Sequence, residues 1–170
     1  MNYDGSYEAP DGIEPLIGYR GWLVRGGKLV SCYRMVEWPV GGPLESMCLT
    51  PTFGTSNERG DIPIPPPPKH SVSPNIFCTC GIYGLDSYPN LWEVREGKRK
   101  STLKPWPFEA ITGIIKVWGK VVVGSRGFRA QYAEPIALVA RSRMGEWPQG
   151  IEEVAGTYGI EVVDAKEVKA

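Results

Sequence analysis

A proline-rich stretch constrains this chain more than any other feature. Residues 38–76, "WPVGGPLESMCLTPTFGTSNERGDIPIPPPPKHSVSPNI", hold nine of the sixteen prolines, four of them consecutive at 65–68. Proline lacks an N–H and fixes φ, so such a run favours extended polyproline II and cannot pair in the middle of a sheet. A connection this long without regular structure is uncommon in a compact domain and needs an anchor. The framework must therefore come from residues on either side of it.

Those flanks read as β-rich. In "EPLIGYRGWLVRGGKLVSCY", Tyr19 to Val24 and Leu29 to Ser31 surround Gly26-Gly27, the pattern of a β-hairpin. "ITGIIKVWGKVVVGSRGFRAQYAEPIALVA" predicts two strands, Ile114 to Val123 and Phe128 to Ala133, turning through Gly124-Ser125-Arg126-Gly127. The Val and Ile enrichment around Trp118 marks a largely buried strand. Near the end, Ile151, Val154, Ala155 and Tyr158 recur at i, i+3, i+4 and i+7, one apolar helix face stopped by Gly159. A short "IEVV" strand follows. Between these landmarks, "GIYGLDSYPNLWEV" reads as short and turn-rich, and residues 1–12 as a polar, frayed N-terminus. The expected fold is a single β-rich α+β domain over 13–165. An antiparallel sheet or partly closed barrel would pack against one C-terminal helix.

A chain of 170 residues with 42% hydrophobic and 22% charged residues is long and apolar enough to build a core without disulfides. Lys plus Arg and Asp plus Glu both number 19. That neutrality weighs against a main role in gripping nucleic acid, where phosphate neutralisation dominates affinity. The N-terminus has neither a basic segment nor an apolar one, and runs such as "IALVA" at 136–140 are too short to span a bilayer. The expectation is a cytoplasmic protein, with its four cysteines reduced or metal-bound.

The only histidine, His70, precedes Cys78 by eight residues, and Cys48 stands on the far side of the proline-rich stretch. Cys48, His70, Cys78 and Cys80 thus offer three thiols and one imidazole, the donors of a closed tetrahedral zinc site. Cys-x-Cys is tighter than the usual Cys-x₂-Cys, but Gly81 supplies the freedom for a sharp turn. Such a centre would also pin the long connection at both ends. Two other readings stay open: unligated thiols on a strand, since cysteine is often buried as a small hydrophobe, or a redox pair. The redox reading is the weaker, because "CTCGIYG" does not continue into a helix that would acidify the thiols. Cys32 reads as a buried residue of the first hairpin.

Other features carry less. "GSRG" at 124–127 lacks Gly-Lys-Ser/Thr and opens a strand, so it is a hairpin turn and not a phosphate loop. Trp22, Trp92, Trp106 and Trp118 could stack bases, but aromatic residues in a domain of this composition belong to the core. Glu14, Glu93, Glu109 and Glu134 show no paired arrangement suited to acid–base catalysis. The basic stretch "REGKRKSTLK", with Arg95, Lys98, Arg99, Lys100 and Lys104, is the best place for an acidic partner or RNA.

"EPLIGYRGW", the His70-to-"CTCGIYG" segment, and "VWGKVVVGSRGFRAQYAEP" followed by a helix and "YGIEVV" resemble a group of small uncharacterised proteins of actinobacteria and their phages. The resemblance covers much of residues 13–163. It implies a shared architecture with a Cys/His cluster and brings no activity with it. The functional expectation is a non-enzymatic, zinc-stabilised interaction module, of phage or prophage origin, acting on a host protein. The alternative is a nucleic-acid-binding module using the basic residues of 95–104. A zinc enzyme with an open coordination position comes third.

Overall fold

A computed structural model of the protein describes residues 3–8, 14–32, 35–48, 70–95, 110–140 and 150–168, with backbone alone for 3–8 and 95. Its frame is one long hairpin, Ile111–Gly124 and Gly127–Ala140. Both strands are longer than the sequence pattern predicts, because Pro135 does not end the second one. Ile114 pairs with Ala137 and Ile115 with Pro135, so an extra residue bulges out beside the proline. Proline is tolerated at such a bulge, where a ladder bond is already missing.

Numbered in chain order, the strands are β1 (Tyr3–Glu8), β2 (Leu16–Arg25), β3 (Lys28–Ser31), β4 (Leu44–Glu45), β5 (Ile82–Leu85), β6 (Ile111–Gly124), β7 (Gly127–Ala140) and β8 (Glu161–Asp164). The helices are α1 (Tyr88–Arg95) and α2 (Ile151–Tyr158). All strand pairs are antiparallel except β7 with β8, which is parallel. The sheet is therefore mixed, where a purely antiparallel one was expected. Strands β6, β2, β5 and β7 pair in a ring, yet β2 and β5 meet at a single register point, Tyr19 with Leu85, so no full barrel closes. Among the described residues no helix is long and apolar enough to cross a membrane.

The β2–β3 hairpin lies where the Gly26-Gly27 signal places it. Both glycines have positive φ, 55° and 73°, the conformation a two-residue hairpin turn requires. The helix face of Ile151, Val154 and Ala155 is buried as predicted, and α2 ends at Gly159 in the left-handed conformation. Its Tyr158 hydroxyl accepts from the Leu29 N–H at 3.0 Å and donates to the Trp38 carbonyl at 2.8 Å, tying α2 to the first hairpin. Burial raises the pKa of that phenol, keeping it neutral and able to donate.

Two expectations are corrected. Residues 3–8, read as part of a frayed terminus, form β1 along β6, from Tyr3 opposite Gly124 to Glu8 opposite Lys120. Position along a chain says nothing about backbone pairing, and β6 offers an open edge there. The turn-rich reading of "SYPNLWEV" gives way to α1, so there are two helices where one was expected. Pro89 falls in the first turn, where no N–H is needed, and the Asp86 carboxylate accepts from the Asn90 amide at 2.7 Å. Leu91 and Tyr88 then pack with Val139 on a small second core.

The main core gathers Trp22, Leu29, Trp38, Ile115, Val117, Val121 and Leu138 with the α2 face. Phe128 of β7 fills the interior at the incomplete β2–β5 join. Gly18 of β2 and Gly84 of β5 both face its ring, and a Cβ at either would intrude on ring carbons. The aromatic ring and the two bare backbones are matched. Gly18→Ala is expected to cost about 1–3 kcal/mol in chemical denaturation. The cost should shrink when Phe128→Leu is combined with it, and equal costs in both backgrounds would refute this packing.

Candidate metal centre

Strands β4 and β5 dock end to end along the same edge of β7. Leu44 and Glu45 pair with Ala133 and Tyr132, while Ile82 to Leu85 pair with Ala130 back to Gly127. Cys48 leaves the end of β4, and Cys78 and Cys80 enter the start of β5, so the register on β7 brings the three thiols together. The Ser46 N–H donates to the Gln131 carbonyl at 2.7 Å, and the Ser46 hydroxyl donates to the Ser73 carbonyl at 3.2 Å. The second bond ties the Cys48 strand to the segment that follows His70.

The donor atoms of Cys48, His70, Cys78 and Cys80 all lie within 4.8 Å of one another. Cys48 Sγ is 3.8 Å from Cys78 Sγ, and Cys80 Sγ is 3.5 Å from His70 Nε2. The four residues singled out in the sequence therefore converge in one group able to hold a metal ion. Cys48 and Cys80 are buried, whereas His70 and Cys78 are half-buried and give the group its side toward water.

Local bonds aim the donors. His70 Nδ1 lies 2.7 Å from the Val72 carbonyl, which can only accept, so Nδ1 carries a hydrogen and Nε2 faces the thiols. On the other side, Asn75 organises a tight turn. Its carbonyl accepts from the Cys78 N–H at 3.0 Å and its side-chain oxygen from the Phe77 N–H at 2.9 Å. Gly81 then reverses the chain at φ 120°, where a Cβ would stand 2.9 Å from Arg129 Cβ and 3.0 Å from Pro74 Cβ. The freedom expected of this glycine is used in full.

The electrostatics suit a thiolate cluster. Hydrogen bonding to His70 is the main cause that pulls the Cys78 thiol down to about 6, and the same contact raises the imidazole. The contact thereby favours the thiolate form of Cys78, the form that binds metal. Cys32 contrasts with it. Expected to be buried, Cys32 is half-buried; its thiol donates to the Gly21 carbonyl at 3.6 Å, and burial pushes its pKa up.

The sequence pattern does not reveal Arg129. This buried residue donates through Nη1 to the Cys78, Cys80 and Asn75 carbonyls, under the turn that carries two of the thiols. Strand alternation only places it on the face opposite Phe128 and Ala130, and nothing in "GFRAQYA" announces what covers that face. Of the proposed acidic-partner or nucleic-acid contacts, Arg95 ends α1 and Lys98, Arg99, Lys100 and Lys104 lie outside the described residues. So does the centre of the proline-rich stretch, 49–69. Trp22, weighed as a stacking residue, is fully buried against Trp38, and Trp118 stacks on Tyr132.

No family model, no curated protein and no solved structure matches the chain.

The geometry makes Gly81 the most sensitive position that bears no donor atom. Gly81→Ala should leave far-ultraviolet circular dichroism close to wild type and lower the amount of metal retained through dialysis. Unchanged retention would show that the turn does not need its positive φ.

Proposed function

We propose that the protein is a zinc-stabilised, non-enzymatic interaction module. One observation supports zinc as the metal. A tetrahedron with zinc–sulfur bonds of about 2.3 Å has sulfur–sulfur edges of about 3.8 Å, and with zinc–nitrogen bonds of about 2.0–2.1 Å its sulfur–nitrogen edges are about 3.6 Å. The separations of 3.8 Å and 3.5 Å match one edge of each kind, all donor pairs lie within 4.8 Å, and the soft three-thiol, one-imidazole donor set suits the same ion. Four protein donors fill a tetrahedron and leave no position for water, which supports a structural role over a catalytic one.

The surface beside the donors supports the interaction reading. Four large apolar side chains stand exposed within two residues of a donor: Met47 beside Cys48, Val72 near His70, and Ile76 and Phe77 beside Cys78. Phe77 is 93% exposed and Met47 70% exposed. Single exposed apolar residues are ordinary, but a group of them close to one set of donors is the character of a protein-binding surface. The partner we propose is a protein with an apolar pocket for Phe77. The resemblance to actinobacterial and phage proteins makes a bacterial host protein the class to screen.

The metal is tested by elemental mass spectrometry on protein purified without added metal. About one zinc per chain is expected, lost together with native structure in Cys80→Ser. Well-folded protein without metal would end the zinc reading. For the surface, Phe77→Ser should keep the zinc and the thermal transition while releasing a host protein that the wild type captures. Equal capture by both would move the interaction elsewhere.

A further inference from the structure

A cation is buried directly beneath the Cys78–Cys80 turn. Arg129 projects from β7 and is only 2% exposed. Its Nη1 donates to the Cys80 carbonyl at 2.8 Å, to the Asn75 carbonyl at 3.3 Å and, most closely, to the Cys78 carbonyl. The three acceptors belong to one turn, and two of them are the carbonyls of donor residues themselves. A single nitrogen thus gathers the backbone around the position where the sulfurs converge. The fit is tight on the other side as well, since Gly81 has no Cβ to collide with the arginine stem.

We propose that Arg129 is the positioning residue of the metal centre, holding the Cys78–Cys80 turn in its ligating shape and offsetting the net negative charge of the metal–thiolate centre. The assignment rests on the zinc reading above. A Zn²⁺ ion held by three thiolates and a neutral imidazole carries about one net negative charge. A half-buried centre gains from a fixed opposite charge nearby, because water screens it poorly on the buried side. The carbonyl bonds add pre-organisation. With the turn already fixed, binding the ion does not have to order the backbone that presents Cys78 and Cys80. Outer groups that orient ligands in this way are worth about 10–100-fold in metal affinity.

The test loads wild type, Arg129→Met and Arg129→Lys with Zn²⁺, and in parallel with Co²⁺, whose absorption reports thiolate ligation and tetrahedral geometry. Zinc release to a chelator is followed at neutral pH, well below each variant's thermal transition. Arg129→Met is expected to release zinc about 10–100-fold faster than wild type and to shift the cobalt bands. Arg129→Lys, which keeps the charge and a nitrogen donor, should recover part of the loss. Wild-type release and unchanged cobalt bands in a less stable Arg129→Met would overturn the assignment and leave a mere packing residue. If Arg129→Met does not fold, Arg129→Lys decides: faster release with shifted bands upholds the role, and wild-type behaviour in both removes it. Wild-type protein that binds neither ion would instead overturn the centre itself, and the assignment with it.

Discussion

The pairing of β6 with β7 is the constraint on which the rest of the structure depends. The two strands run together from Gly124 and Gly127 at the turn to Thr112 and Val139. β1 and β2 lie on β6, and β4, β5 and β8 lie on β7. The pairing is local in sequence, so it closes a short loop at little entropic cost. Its inward side chains, Ile115, Val117 and Val121 from β6 with Ala130, Ala133 and Leu138 from β7, make up much of the main core. A surface of this kind fixes where later segments must land.

The Cys/His group depends on that surface more than on its own local sequence. Cys48 and Cys78 are thirty residues apart, yet they meet because β4 and β5 each claim part of one β7 edge. β7 also supplies Gln131, which accepts from the Ser46 N–H, and Arg129, which holds the Cys78–Cys80 turn. A metal held by this group would thereby be linked to sheet formation. An ion bound by residues that converge only in the folded state adds its binding free energy to folding.

Much of this was legible where one short-range rule dominates. The β2–β3 turn needs two residues at positive φ and has two glycines. The α2 face keeps its 3.6-residue period and stops at Gly159. The Cys/His group could be read from donor chemistry because His70 is the only histidine and stands within ten residues of two thiols. The rest was hidden by tertiary context. Pro135 looks like the end of a strand until the bulge beside it is known. α1 holds Pro89-Asn90 near its start, a pair that reads as a turn, and its buried residues answer to Val139, far away in sequence. Arg129 is one more charged residue in an alternating strand, and only the turn laid across it reveals its use.

The meeting of Cys48 and His70 has a consequence for how this protein can vary. Their donor atoms lie within 4.8 Å of each other in the group they share. The intervening residues, 49–69, lie outside the described residues, and the two positions they join are brought together by the group. Doubling such a segment costs only about 0.6 kcal/mol in closure entropy. A change of length between Cys48 and His70 is therefore a small term beside the burial that holds the hairpin and its core.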